Sequence, residues 1–356
     1  IIRLDPFGIC GPGSDTFNPL AVIDASSDDF LDQCRDLANM LVVRTGSEPD
    51  SHWNDAAELC ITAFIAFVCA CEPDPAARHL GVVRAIVASR HTYTRAIETM
   101  QKTEGFGGVI QRLGNLLTWF VDRELGSVLT TVQRHTAFLD SPAISANTMA
   151  STYDPRELKG GNRTIYFVLP HDRLNSLAGV MRMWMGTHLR TITRGRPSES
   201  TIIQFFIDEA ANLGNIRVLE DAVTLMRGMG IRLWFFDQSL GQLEVCYGNR
   251  AKVFLDNFDT QQFFGTNSYE SAEAISKRIG ECTVINVSYS PNESRSRPSG
   301  GFSSDTQSSS FSSGRSYNYS ETARRVLKPE EILCMPEDAA LIVHRNLPVI
   351  PARLLR

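Results

Sequence analysis

The run Ile202-Ile203-Gln204-Phe205-Phe206-Ile207 is followed at once by Asp208-Glu209. An apolar run of this length reads as a strand, and a strand that delivers two carboxylates at its carboxyl end can serve phosphoryl transfer. In this Walker B arrangement Asp208 holds Mg²⁺, directly or through water, and Glu209 polarises the attacking water. The same acids would also suit the start of the next helix. One strand later, Asp237-Gln238-Ser239 ends the run Ile231–Phe236, where Gln238 can reach a γ-phosphate or orient water. Its other role there is to cap the following helix. Between the two strands, Arg227-Gly228-Met229-Gly230-Ile231-Arg232 places Arg227 and Arg232 near a helix end. They can complete a neighbouring subunit's site as arginine fingers, or simply sit as solvated cations at a helix C-terminus.

Absences narrow the chemistry further. No Gly-x-x-x-x-Gly-Lys-[Ser/Thr] loop occurs, and the glycine-rich turn Gly8–Gly13 has no following Lys-Ser/Thr to replace it. The chain opens on Ile1-Ile2-Arg3-Leu4-Asp5-Pro6, as though inside a strand, so the phosphate-gripping loop is expected upstream and these residues are not expected to hydrolyse ATP alone. There is no Gly-x-Ser-x-Gly elbow and no His-Glu-x-x-His pair, and the seven His are scattered. Arg190–Arg196 and Arg324-Arg325 read as solvated surface clusters.

The elements that must position these residues follow from periodicity. Thr164–Leu169, Ile202–Ile207 and Ile231–Phe236 are short apolar runs, expected as strands covered on both faces. Leu174–Thr193 and Ile216–Met229 are helical, the second stopping at Gly230. Strand and helix in alternation predict a parallel, doubly wound α/β sheet with ligands at the carboxyl ends of its strands. A first strand ends at Asp5, and a helix is expected over Asp28–Val43. Residues 51–149 show helical periodicity throughout and read as an all-α insertion. The expected domains are therefore 1–50 and 150–356 as two parts of a nucleotide-binding fold, with 51–149 between them. Within the second part, 286–320 contains 14 Ser and reads as a mobile loop. A short helix at Leu327–Leu333 and a final strand at Ala340–His344 complete the pattern.

Composition agrees with a packed protein. Hydrophobic residues at 43%, charged residues at 21% and a net charge of -5 exclude a disordered polyelectrolyte, a collagen-like fibre and a uniformly basic nucleic-acid wrapper. The eight cysteines show no Cys-x-x-Cys pair and read as buried, reduced thiols of a cytosolic compartment. The longest apolar stretch, Leu59–Cys71, is shorter than the ~18–20 residues of a bilayer span and reads as a buried helix.

Taken in order, these motifs resemble the coupling-protein ATPases of type IV secretion and conjugation systems, the TraG/TraD type, over essentially the whole chain. The resemblance rests on Asp5-Pro6-Phe7-Gly8, Phe17-Asn18-Pro19-Leu20, Trp53-Asn54-Asp55-Ala56-Ala57 and Phe206 to Gly214. It continues through Arg227 to Arg232, Asp237 to Leu243, Ser276 to Gly280 and Leu327 to Ile332. Phe7 stands where the family pattern has Lys. The resemblance implies a P-loop NTPase-like α/β fold of RecA/FtsK type with an inserted all-α domain, and ATP and Mg²⁺ as cofactors. It implies catalytic Glu209, Gln238, Arg227 and Arg232, metal-binding Asp208, and nucleotide contacts from Asp208, Gln238, Asp5 and Gly8. It further implies a hexameric ring at the cytosolic face of the bacterial inner membrane, anchored by a segment outside these residues. Its partners would be a relaxosome DNA–protein complex or effector proteins, other secretion components, and single- or double-stranded DNA. Two alternatives are a non-hydrolysing substrate receptor and a cytosolic ring DNA translocase.

Overall fold

The computed structural model describes residues 1–44, 51–194, 201–210, 214–296 and 310–354. They fall into two compact units, Ile1–Phe258 and Asp259–Arg356.

The first unit opens with β1 (Ile2–Leu4) and α1 (Phe30–Leu41). Six helices follow: α2 (His52–Cys71), α3 (Leu80–Val87), α4 (Arg90–Lys102), α5 (Val109–Leu117), α6 (Asp122–Thr136) and α7 (Pro142–Thr148). Then come β2 (Ile165–Phe167), α8 (Ala178–Thr193), β3 (Ile203–Ile207), α9 (Arg217–Leu225), β4 (Ile231–Phe235), α10 (Leu240–Tyr247) and α11 (Ala251–Asn257). The helix expected to run to Met229 closes instead with a 3₁₀ turn over Met226–Met229, and Gly230, at φ +77°, turns the chain into β4.

The helices from α2 to α7 share one apolar core with β1, α1 and the first half of α8. At its centre is α2, 20 residues long, whose Cys60, Ile61, Phe64, Ile65 and Val68 are all buried. By length and composition α2 could cross a membrane. Packed against α1, α3, α5 and α6, it serves here as a core helix. Two parallel ladders complete the unit: β1 with β2, Ile2 opposite Ile165, and β3 with β4, Ile203 opposite Ile231. Parallel strands close in space but distant in sequence require crossovers; α9 supplies one between β3 and β4.

Among the described residues β3 and β4 are covered on one face. Phe205, Ile207 and Ile231 pack against Met185, Leu189 and Ile192 of α8 and Val218, Leu219 and Ala222 of α9. On the opposite face Phe206 is 62% and Trp234 49% exposed, their rings stacked 5.6 Å apart. Side chains alternate across a strand, so helices on one side bury only every second residue.

The second unit contains β5 (Thr260–Phe264), α12 (Tyr269–Ile279), β6 (Glu281–Ser296), β7 (Ser310–Arg325), α13 (Pro329–Leu333), β8 (Ala339–His344) and β9 (Ile350–Arg353). The antiparallel sheet β5-β8-β9 includes two strands, β5 and β9, absent from the periodicity reading. The predicted mobile loop is also corrected: its flanks are the long antiparallel pair β6 and β7, and 297–309 lie outside the described residues. Ile285, Val287 and Tyr289 alternate with polar residues and stand across from Glu321, Tyr319 and Tyr317. Serine content obscured this β-type alternation of branched and aromatic residues. All eight cysteines are free; Cys34, Cys60 and Cys69 are buried as expected, whereas Cys10, Cys282 and Cys334 are exposed.

Candidate functional site

The carboxyl ends of β3 and β4 are stitched together beyond the ladder itself. Phe236 N–H donates to Ile207 O at 3.0 Å, and Ala210 N–H donates to Phe236 O at 3.2 Å. Between these two bonds the chain turns sharply through Asp208 and Glu209. Glu209 has φ +49°, a left-handed conformation uncommon for a residue with a side chain. Such strain costs on the order of 1–3 kcal/mol and persists where the surroundings fix it.

The turn places Asp208 exposed at the strand end and Glu209 half-buried beside β4. There Gln238 Nε2 donates to Glu209 Oε1 at 3.3 Å, so the structure brings together the two residues assigned to orient water. Capping of α10 falls to the neighbouring Ser239, whose Oγ accepts from Gln242 N–H at 3.3 Å, which leaves the Gln238 side chain available to Glu209. Gln242 braces Gln238 in turn, its Oε1 accepting from the Gln238 backbone N–H at 3.2 Å. The helix α9 starts only at Arg217, so the acidic pair does not form its first turn.

Asp5 and Gly8 lie in the turn that leaves β1. Asp5 is 1% exposed, and its carboxylate accepts from Ile9 N–H at 2.9 Å and Cys10 N–H at 2.7 Å. Gly8, at φ +69°, lets the chain close this turn. The carboxylate of Asp5 thereby shapes its own turn. The Arg173 guanidinium lies over the ring of Phe7, 5.7 Å from its centroid.

Arg227 and Arg232 sit at the other end of the strands. Arg232 is the second residue of β4, opposite Gln204, and Arg227 lies in the 3₁₀ turn that precedes the strand. The rise from Arg232 to Phe235 alone is about 10 Å at ~3.3 Å per residue. Within one chain, both arginines start a strand's length away from Glu209 and Gln238.

Two basic residues read as solvated surface are instead partly buried and paired. Arg190 Nη2 lies 2.8 Å from Asp221 Oδ2, and Arg194 Nη1 donates to Gln33 Oε1 at 3.0 Å. The end of that cluster, 195–200, lies outside the described residues.

A residue that sequence patterns miss is Arg182, the fifth residue of α8 and 2% exposed. Its guanidinium donates to Met40 O at 3.1 Å, Val42 O at 3.2 Å and Asn215 O at 2.5 Å. Burial lowers its pKa to about 10, so it stays protonated at neutral pH.

Among the described residues no group of three or more His, Cys, Asp and Glu is placed to hold a metal ion. Two adjacent carboxylates nevertheless suit Mg²⁺, which keeps waters and phosphate oxygens in its shell and asks the protein for only one or two ligands.

Comparison with known proteins extends over the whole chain. Residues 1–355 match the family described as type IV secretory system conjugative DNA transfer. The conjugal transfer protein TraG of Escherichia coli is 24% identical over 360 residues, covering 94% of this chain and 53% of the relative. The type IV secretion system-coupling protein VirD4 of Bartonella quintana is also 24% identical, covering 98% and 53%. This chain thus spans about half the length of these relatives. Among solved structures, the plasmid coupling protein TrwB in complex with a non-hydrolysable ATP analogue superposes with a TM-score of 0.70 at 16% identity, over 99% of this chain and 73% of that one. Unbound TrwBdeltaN70 gives 0.65 at 17% identity, with 99% and 73% covered. The likeness establishes the P-loop NTPase-like α/β fold expected from the motifs.

Proposed function

The chain belongs to the type IV secretory system conjugative DNA transfer family, and from that premise we propose that it is the nucleotide-hydrolysing part of a coupling protein. In this reading, 1–50 and 150–356 form the nucleotide-binding fold and 51–149 the inserted all-α domain. A hexameric ring of the whole protein, anchored at the inner membrane with this part on the cytosolic face, uses ATP to deliver DNA–protein or effector substrates to the secretion channel. The observation that carries the reading is the Gln238–Glu209 hydrogen bond at the joined ends of two parallel strands.

The residues divide the work as follows. Glu209 accepts a proton from water at Oε2 or Oε1 while Gln238 holds that carboxylate in place, and the amide of Gln238 is close enough to share the same water. Asp208, exposed at the strand end, would hold Mg²⁺ alongside the nucleotide phosphates. When bound, the ion neutralises phosphate charge during transfer. The turn shaped by Asp5 and Gly8 lies at a strand's carboxyl end, where ligands of open α/β sheets bind. Arg227 and Arg232, remote from Glu209 in their own chain, serve a neighbouring subunit's site. The phosphate-gripping loop is contributed from outside these 356 residues, which contain no such motif. The uncovered apolar face of β3 and β4 supports a further element belonging there.

The experiment is Glu209→Gln in the full-length protein. ATP turnover should fall by about 100-fold or more with nucleotide binding retained, as expected for loss of a general base. Turnover equal to wild type would refute the assignment. These 356 residues alone should show no ATP turnover.

A further inference from the structure

The backbone segment Val42–Arg44 leaves α1 toward the helices α2 to α7, and it is gripped from both sides. On one side Val42 O accepts from Arg182, and Arg44 forms an antiparallel β-bridge with Asn215, whose own carbonyl is held by Arg182 at 2.5 Å. On the other side Val43 N–H donates to His135 Nδ1 of α6 at 3.3 Å, and Arg44 Nη2 lies 2.8 Å from both Asp55 and Glu58 of α2. The His135 ring is fixed in turn by Asn54 Oδ1 at 3.0 Å from Nε2, so Nδ1 is the acceptor. Asn215 is six residues beyond Glu209 in the same connection. That connection is therefore anchored twice, at Ala210 by Phe236 O and at Asn215 by Arg182 and the bridge to Arg44.

We propose that Val42–Arg44, Asn215 and Arg182 form a strut through which the helices α2 to α7 set the position of Glu209, with Arg182 and Arg44 as positioning residues. A left-handed Glu209 requires fixed ends, and one of its two anchors is also the exit of the helical segment. A shift of α2 or α6 moves Val43 and Arg44, and the bridge moves Asn215, which lies six residues beyond Glu209 in the same chain. Neither arginine touches substrate. The proposal rests on the assignment of Glu209 given above.

Two variants of the full-length protein test it. Arg182→Lys keeps the charge but loses the fork that spans three carbonyls at once. Arg44→Ala removes only the half-buried ion pairs to Asp55 and Glu58 and leaves the core intact. By hydrogen–deuterium exchange, the Ala210 amide should exchange about tenfold faster in both variants, since its anchor loosens from the far end. In hydrolysis assays kcat should fall by about tenfold with KM within about twofold, because a misplaced base impairs the chemical step and not the binding of nucleotide. Unchanged exchange at Ala210 in both variants would overturn the strut, as would a change in KM at constant kcat. Wild-type turnover in Glu209→Gln would instead overturn the functional reading, and the exchange result would still decide the strut.

Discussion

Two polar constellations of the first unit have opposite characters. Glu209 and Gln238 sit at the open end of a strand pair, joined by a long hydrogen bond and held in a strained turn. His188, in α8, is enclosed: it lies 1% exposed, with Nδ1–H donating to Trp184 O at 2.6 Å, Nε2 2.6 Å from Tyr153 Oη, and the rings of Phe17 and Phe167 against it. The enclosed group has both ring nitrogens used and no route for a reactant. The open group faces solvent, with Gln238 exposed and Glu209 half-buried. Chemistry is possible where partners can be exchanged, and stability resides where they are locked in.

The contrast is broken most forcefully in the core. Phe64 is fully buried in α2, its ring edge-on to Tyr93 at 5.5 Å. Phe64→Ala should cost about 3–5 kcal/mol in denaturant unfolding. A cost under ~1 kcal/mol would show that the helical core is not the seat of stability.

Acid should find the enclosed histidine next. Burial lowers the His188 pKa to about 4 from its ordinary 6.5, so the unfolded chain binds a proton between these values that the folded chain does not. Its stabilising contribution is present above pH 6.5 and is lost as pH falls toward 4, amounting to about 3 kcal/mol over the whole window. Unfolding curves across this range should show that decline, and His188→Gln should flatten it.

At the open site the effects belong to rate and not to stability. Gln238→Ala should lower ATP turnover of the full-length protein by about tenfold while the unfolding free energy changes by less than ~0.5 kcal/mol. Steady-state kinetics and a denaturant titration on one preparation check both halves. The smallest effect is expected on the uncovered sheet face, where Phe206→Ser in these 356 residues should change stability by less than ~0.5 kcal/mol. In a longer chain that supplies the covering element, the same change should cost about 2 kcal/mol.

The strands that end at Asp208-Glu209 and before Asp237-Gln238 are legible because each leaves a local mark, an apolar run with polar residues and a turn after it. The parallel strands and the helical run from His52 to Thr148 were legible through period. In the flanks of 286–320 the serine content hides the alternation of branched and aromatic residues, and in β5 Thr260-Gln261-Gln262-Phe263-Phe264 has too few apolar residues to announce a strand. Arg182 was beyond sequence reasoning, since its three partners are carbonyls that any residue possesses.

Residue order alone carries the acidic pair, the glutamine and the arginines, and the succession of elements that bear them. The meeting of Gln238 with Glu209, the distance of Arg227 and Arg232 from that pair, and the convergence of α1, α8 and the connection after β3 on one buried guanidinium emerge only in three dimensions. Local chemistry and period are written in neighbouring residues, whereas these meetings depend on which backbone atoms long-range packing leaves to be satisfied by a side chain.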